Sequence, residues 1–450
     1  SGDNGILSNA AKAKRETEIA EIIEQIRLEL YGEMADNGGL NPTEADIETI
    51  ADKYGDITGD AFADKVLKTE KGNYEIKLLD IWTPGSSSED PEIPDLPEDA
   101  IQAGEMATAG KNAYYSDDKR AVIPEGFTVS NVEGEKTING GLVIYYIPEG
   151  TDTSGDFWTV DSDGDSIPDV QENYDQYVWI PVDGILDENG TTIADVDGTN
   201  GEKKVLLGRY SFDSNGKPSK YTSEYYVEED SKDTENLLNK GNKIAEDIGE
   251  FIQSVRDNDG YYIARYEAGV ENGTLNTEDM ENSYTATSND WTGYSGENMK
   301  LVIRRDVQPW NYITQNRAAN LSREIDNSYT ESNVTSDLIN SYAWDTAILF
   351  IQNSPVGDEN YSRQNALQSS PANTGKATDG SKNDNPCNIY DMAGNCYEWS
   401  TETCSYSSSS PCVHRGGNYF NASGIYASNR SFEHTTYSNS YNSFRSLLYL

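Results

Sequence analysis

Residues 388–399 read NIYDMAGNCYEW; HRGGNYF follows at 414–420, and SFR stands at 443–445 near the end. The Asp, Gly and Asn of YDMAGN make a turn. CYEWSTE after it reads as a strand with Trp399 facing inward. Upstream, AVIPEGFTVS, GGLVIYYIPEG and YVWIPVDGIL are strand-like pieces broken by Gly, Asn and Asp turns. The amphipathic helix IAEDIGEFIQSVRDNDG feeds directly into YYIARYEAG, and helical stretches are predicted through WNYITQNRAANLSREI and SDLINSYAWDTAILFIQ. Short strands interleaved with a few helices give an α+β chain.

TPGSSSEDPEIPDLPED, Thr83 to Asp99, lacks any apolar period and is rich in Pro, Ser and acid, which suits an extended spacer. The domain boundary falls there: a small domain over 1–82, a linker over 83–119 and a large domain over 120–450. In the first of these, Ile19, Ile22, Ile23, Ile26 and Leu30 recur at the helical period from about Asn9, with Ser8 or Asn9 as cap. A second helix near Pro42 to Tyr54 and a strand at GNYEIKLLDIW complete a small α+β unit. SGDNGIL followed by AAKAKRETE resembles the segment after the membrane helix in pilin-like proteins of Gram-positive bacteria. That resemblance implies a membrane-inserted half-helix before Ser1, contact with other pilins through the helix, and a location on the cell surface or pilus. Membrane contact would come only through that missing segment.

With 78 acidic against 34 basic residues the net charge is -44, which repels phosphate backbones and anionic lipid and suits cations. Nucleic acid is therefore not an expected partner. No run of 18 apolar residues occurs, so nothing in the sequence given reads as a membrane span. All four cysteines, Cys387, Cys396, Cys404 and Cys412, fall within 26 residues. Even in number and close together, they read as two short disulfides in an oxidising compartment, with buried free thiols as the alternative. The absence of C-x-x-C argues against zinc.

DSDGDSIPDVQE, 161–172, places Asp161, Asp163 and Asp165 at positions 1, 3 and 5 of a loop. A carbonyl from Ile167, then Asp169 and Glu172, complete a set of hard oxygen donors suited to calcium. The pattern resembles the Asp-rich loops of EF-hand-like and thrombospondin type 3 repeats, with Ser166 where the EF-hand has Gly. A structural calcium is expected, pinning an insertion near 156–175.

The order NIYDMAGNCYEW, HRGGNYF, SFR resembles the C-terminal signature of the formylglycine-generating enzyme and sulfatase-modifying-factor family. Its usual form is N-x-Y/W-D-M-x-G-N-V-x-E-W, then R-G-G-S, then G-F-R. YVWIPVDG, GYYIARYEAG and NSYAWDTAILFI extend the likeness over most of 120–450, which implies a C-type-lectin-like fold. The oxidising branch of that family holds copper with two cysteines shortly after R-G-G-S. Those slots fall near Asn421 and Tyr426 here, and no cysteine follows Arg415. His414 and His434 are the only histidines, too few for the three-histidine iron site of the sulfoxide-synthase branch. The expected protein is therefore not an enzyme; the alternative is a formylglycine-generating-type oxidoreductase acting on a cysteine substrate. The sugar-binding motifs of true C-type lectins are absent as well.

From Asn418 to Ser443, 15 of 26 residues are Asn, Tyr or Ser. This palette resembles the variable proteins of diversity-generating retroelements, which use the same fold and randomise adenine-containing codons at the C-terminus. Asn418, Tyr419, Asn421, Ser423, Tyr426, Ser428, Asn429, Ser431, His434, Tyr437, Asn439, Tyr441 and Asn442 are the candidate ligand-binding positions. Gly416, Gly417, Arg430, Phe444 and Arg445 read as scaffold. Tyr offers contact area at low entropy cost and Ser and Asn offer adaptable hydrogen bonds, as in antibody loops. The expected function is an adhesin or receptor-type protein that binds an extracellular protein or glycan. Of the cysteines, Cys404 and Cys412 bracket the Ser-rich SYSSSSP and would pair, leaving Cys387 with Cys396.

Overall fold

The apolar runs of the large domain assemble into a six-stranded antiparallel sheet. The computed structural model describes residues 19, 22, 23, 26, 27, 30, 42–59, 61–69, 74–81, 97–228, 247–278, 280–330, 332–365, 384–420 and 424–450. Strand order in the sheet is Thr335–Leu338, Ser446–Tyr449, Gly260–Ala264, Asp175–Pro181, Val143–Tyr146, Phe127–Val129. Both faces are covered, so the central Asp175–Pro181 and Gly260–Ala264 strands are buried at every position. Tyr177, Trp179, Tyr262 and Leu448 pack on one side with Trp310, Trp399 and the helix Gln315–Glu324. Val178, Ile180, Tyr261, Ile263 and Leu447 pack on the other, against the helices Ile248–Asn258 and Ser341–Asn353. Two-sided burial explains why these strands read as continuous apolar runs rather than strict alternation.

Local signals set the helix starts. The Asp247 side chain accepts from the Glu250 amide, and the Asn340 side chain from that of Ala343. Two helices expected from the periodicity are shorter than predicted. Thr335–Leu338 is an edge strand pairing with Ser446–Tyr449, and the helix begins only at Ser341. The partner strand lies at the far end of the chain, where local periodicity carries no trace of it. Residues 310–314 are likewise non-helical: Trp310 and Ile313 enter the core before the helix opens at Gln315.

Two compact units divide the chain, Ser1–Leu96 and Pro97–Leu450. The spacer expected over 83–119 needs correction at its far end. Ile101, Ala107 and Ala113 are buried, and Ala113–Ser116 pairs with Lys119–Val122, so 97–119 is part of the larger unit. Residues 83–96 lie outside the described residues. In the smaller unit, Thr43 and Asp46 form a reciprocal capping box at the start of the helix Glu44–Ala51. Three antiparallel strands follow: Gly55–Thr58, Val66–Thr69 and Glu75–Lys77. Most of the helix expected from Asn9 lies outside the described residues. Ile19, Ile22, Ile23, Ile26 and Leu30 are helical, and Ile26 and Leu30 are fully buried with Ile47, Ile50, Leu67 and Ile76.

A second sheet of five strands carries the C-terminal segment. Tyr226–Val227, Tyr397–Cys404, Cys412–Arg415 and Arg430–Glu433 run antiparallel, and Asn442–Phe444 lies parallel to the start of the Tyr397–Cys404 strand. Gly416 leaves this sheet at φ 71°, and a Cβ there would stand 2.5 Å from the Met392 carbonyl oxygen. The Arg-Gly-Gly motif is thus a left-handed exit under the YDMAGN turn. Gly416→Ala is expected to lower unfolding free energy by about 1–3 kcal/mol in urea titrations. Parent-like stability would show that the turn tolerates a side chain.

Candidate binding face on a buried charge lattice

The second sheet is fixed from below by ion pairs. Arg415, fully buried, donates to Asp345 at 2.5 Å and Glu402 at 2.9 Å, with its guanidinium 5.3 Å from the Trp344 ring centre. Arg430 bonds the same two carboxylates, and Arg209 reaches Glu402 at 2.7 Å. Burial alone would raise the Glu402 carboxyl, but Arg430, Arg415 and Arg209 outweigh it and hold it at about 2. Arg445 forks onto Glu398 at 2.6 and 2.9 Å and donates to the carbonyls of Ala264 and Tyr390. Glu267 takes the amide of Cys396 at 2.8 Å and the side chain of Asn395. Burial, then Glu398 and Asp391, push its carboxyl well above the usual range.

Above this lattice the terminal segment divides into two classes. Asn418, Asn439 and Asn442 are buried, at 0, 2 and 0 % exposure, which corrects their assignment to a contact surface. Asn418 accepts from the Phe420 amide and Asn439 from that of Tyr441, while Asn442 sits in register with Tyr397. They shape turns and a strand instead of facing solvent. Tyr419, Tyr426, Ser428, Asn429, Ser431, His434, Tyr437 and Tyr441 are half-buried. Asn421 and Ser423 lie outside the described residues.

The half-buried rings do not lie scattered. Phe420 stacks on Tyr441 at 6.3 Å, Tyr441 meets Tyr284 at 6.5 Å, and Tyr284 stacks on Tyr437 at 6.4 Å. His434 stands edge-on to Tyr437 at 5.4 Å and bonds Thr436 through Nδ1. Beneath this band lie Tyr397, Trp399 and His414, so the NCYEW strand is its floor. Trp399 is fully buried and donates to the Ile313 carbonyl; burial holds the neighbouring His414 imidazole neutral, at about 3. Tyr426 packs elsewhere, with the Arg363 guanidinium 3.6 Å over its ring and Ser428 bonded to the Ser362 carbonyl.

Two ring residues escaped the sequence reading. Phe420, 71 % exposed, falls outside the Asn/Tyr/Ser palette. Tyr284, 49 % exposed, comes from a distant hairpin, Met280–Asn282 with Thr285–Ala286. Its backbone accepts from the Ser438 amide, and the Ala286 amide donates to Thr436. A long-range pairing of that kind leaves no local signal.

The four cysteines are buried free thiols, which corrects the two expected disulfides. Cys412 pairs in register with Thr403, so the adjacent Cys404 projects from the opposite face of the sheet. Cys387 packs in the core with Met392 and Trp344, whereas Cys396 stands among Glu267, Glu398 and Asp391. Burial raises the Cys387 thiol to about 11 and lifts Cys396 and Cys412 further.

In the acidic loop the carboxylates of Asp161, Asp163 and Asp165 lie within 4.8 Å of one another. A second group joins Asp165 and Glu172 to Asp306, a residue the loop pattern could not include. Asp169 turns back to Ser162, accepting from its amide at 2.8 Å and its hydroxyl at 2.6 Å. The Ile167 amide donates to Asp165. Ser166 takes up φ 73°, the left-handed position at which the EF-hand has Gly. Burial, then repulsion from Asp163, Asp165, Asp306 and Asp169, raises the Glu172 carboxyl.

Residues 246–448 match the family model of the sulfatase-modifying factor enzyme 1-like domain. That domain belongs to the C-type-lectin-like fold superfamily. No curated protein matches. Among solved structures, CarF is similar at 13% identity and TM-score 0.27, covering 42% of this chain and 86% of its own. PvdO from Pseudomonas aeruginosa is similar at 13% identity and TM-score 0.27, over 43% of this chain and 82% of that one. The Major Tropism Determinant U1 variant aligns at 12% identity and TM-score 0.27, over 91% and 98%.

Two measurements probe the site's foundation. Glu402→Gln should lose about 3 kcal/mol at neutral pH, the equivalent of its depressed carboxyl. A lowered carboxyl stabilises fully above its unfolded value, so the gap between parent and variant should close as pH falls from about 4.5 to 2; a constant gap would sink the assignment. A thiol reagent should find no reactive group in the native chain and four after unfolding without reductant. Two or none would restore the bridges.

Proposed function

We propose that this chain is a surface-displayed ligand-binding protein whose C-terminal ring band contacts a protein or glycan without catalysis. The observation that carries this reading is the band itself: Phe420, Tyr441, Tyr284 and Tyr437 lie at the surface over a buried charge lattice. Rings with few rotatable bonds, held on a rigid floor, lose little entropy when a partner docks. The non-catalytic reading draws support from the residues after Arg415, where Asn421 and Tyr426 occupy the slots of the copper thiolates in the resembling oxidases. All four thiols precede that point and are buried.

On this reading a retroelement diversifies the terminal segment, and the pilin-like N-terminus displays it on the surface or pilus of a Gram-positive bacterium. Diversification should respect burial. In related loci, substitutions are expected at Tyr419, Tyr426, Ser428, Ser431, His434, Tyr437 and Tyr441, while Asn418, Asn439 and Asn442 stay fixed. Equal variation at those buried asparagines would argue that the segment only seals the fold. A ligand from a protein or glycan array should lose about tenfold or more in affinity on Tyr441→Ala. Retained binding would remove the band from the contact.

The acidic loop is the proposed calcium site. Asp161, Asp163, Asp165 and Glu172 offer hard oxygen donors that suit calcium, Asp306 adds one from outside the loop, and the Ile167 carbonyl remains a candidate. The turn of Asp169 onto Ser162 makes it the weakest member of the expected set. Calorimetry with calcium chloride should show one site, with a dissociation constant on the order of 10⁻⁴ M or tighter. Both Asp165→Asn and Asp306→Asn should weaken it. No heat with the parent chain would end the proposal.

A further inference from the structure

The ring band is built from two segments with no free cation. Residues 266–299 contain neither Lys nor Arg, and residues 383–450 contain only Arg415, Arg430 and Arg445 as basic residues apart from the two histidines. All three arginines are committed to Asp345, Glu402 and Glu398 beneath the surface. The same segments expose Glu278, Glu281, Asp290 and Glu297.

Glu433 is the sharper sign. It ends the Arg430–Glu433 strand, half-buried, and its carboxylate has no hydrogen bond or ion pair among the described residues. Burial raises that carboxyl. Glu433 stands opposite Cys412, as Ser431 stands opposite His414, so its side chain shares the sheet face on which His414, Trp399 and Tyr437 meet. Burial chiefly, with Glu433 a further contributor, raises the phenols of Tyr437 and Tyr441. A half-buried anion without a cation is costly. Electron-rich ring faces beside it leave a site complementary to a planar cation.

We infer that the ring band takes a protein segment presenting an arginine, whose guanidinium stacks on the Tyr437 and Tyr441 rings and pairs with Glu433. Arginine suits this better than lysine because its plane can stack and its fork can meet both carboxylate oxygens. A neutral glycan would use the rings but leave Glu433 unpaired. The inference rests on the binding-face reading and adds the chemistry of the partner.

The test pans a displayed random peptide library on the full chain and keeps clones lost on Tyr441→Ala. Tyr284→Ala, on an exposed hairpin, is a second variant in case the first unfolds. Retained peptides should share an arginine. Replacing it with citrulline, or introducing Glu433→Gln, should weaken binding by about tenfold or more. Peptides or arrayed glycans that need Tyr441 and Tyr284 but ignore both changes would overturn the arginine inference and leave the face intact. A library in which every arginine-dependent clone binds Tyr441→Ala and Tyr284→Ala as well as the parent reflects capture by the acidic chain at large and overturns it too. A search that finds no ligand dependent on either ring would remove both the arginine inference and the binding face.

Discussion

Five charged side chains under the second sheet hold the rest in place. Asp345 on the Ser341–Asn353 helix and Glu402 on the Tyr397–Cys404 strand share Arg415 and Arg430, and Arg209 closes the cluster on Glu402. Each charge is desolvated, so each depends on the others: removing one partner of a buried pair costs roughly 3–5 kcal/mol because the survivor is left uncompensated. Such a lattice is a poor source of net stability compared with apolar packing, and its directional bonds tie residues of separate elements together. Through it the Ser341–Asn353 helix, the Tyr397–Cys404 strand and the Arg-Gly-Gly exit are joined beneath the ring band.

A second buried pair does the same at the other end of the strand. Arg445 joins Glu398 to the carbonyls of Ala264 and Tyr390, tying the last strands of the chain to the six-stranded sheet. Ser446–Tyr449 is an interior strand of that sheet, between Thr335–Leu338 and Gly260–Ala264. The segment 418–441 is thus anchored at both ends. Between those anchors Arg430, Ala427 and the buried Asn418 and Asn439 belong to the scaffold, and the half-buried Tyr419, Tyr426, Ser428, Ser431, His434, Tyr437 and Tyr441 are the positions left to the proposed diversification. The same commitment of basic residues inward leaves an outer face of rings and acids, and so sets the chemistry a partner would need.

Much of this was legible in the chain. Strand 397–404 with Trp399 inward, the helices near 248–258 and 341–353, and the buried roles of Arg430, Phe444 and Arg445 all follow local patterns or the ordered motifs. Several expectations failed through partners far along the chain: Thr335–Leu338 became a strand beside Ser446–Tyr449, and Tyr284 and Asp306 joined sites built by distant segments. Cys404 and Cys412 looked ready to pair because they bracket a short loop. A register offset of one residue put them on opposite faces of the sheet.

The sequence by itself determined the two-part architecture, the mixed α+β class, the acidic character and the narrow palette of the terminal segment. These depend on composition and on periodicities a few residues long, which the chain expresses wherever it goes. Only the tertiary structure decided which terminal residues face outward, that Tyr284 and Phe420 complete the band, and that Glu433 sits half-buried beside it without a cation among the described residues. Those outcomes depend on strand register and long-range burial, and a one-residue slip in register exchanges inside for outside.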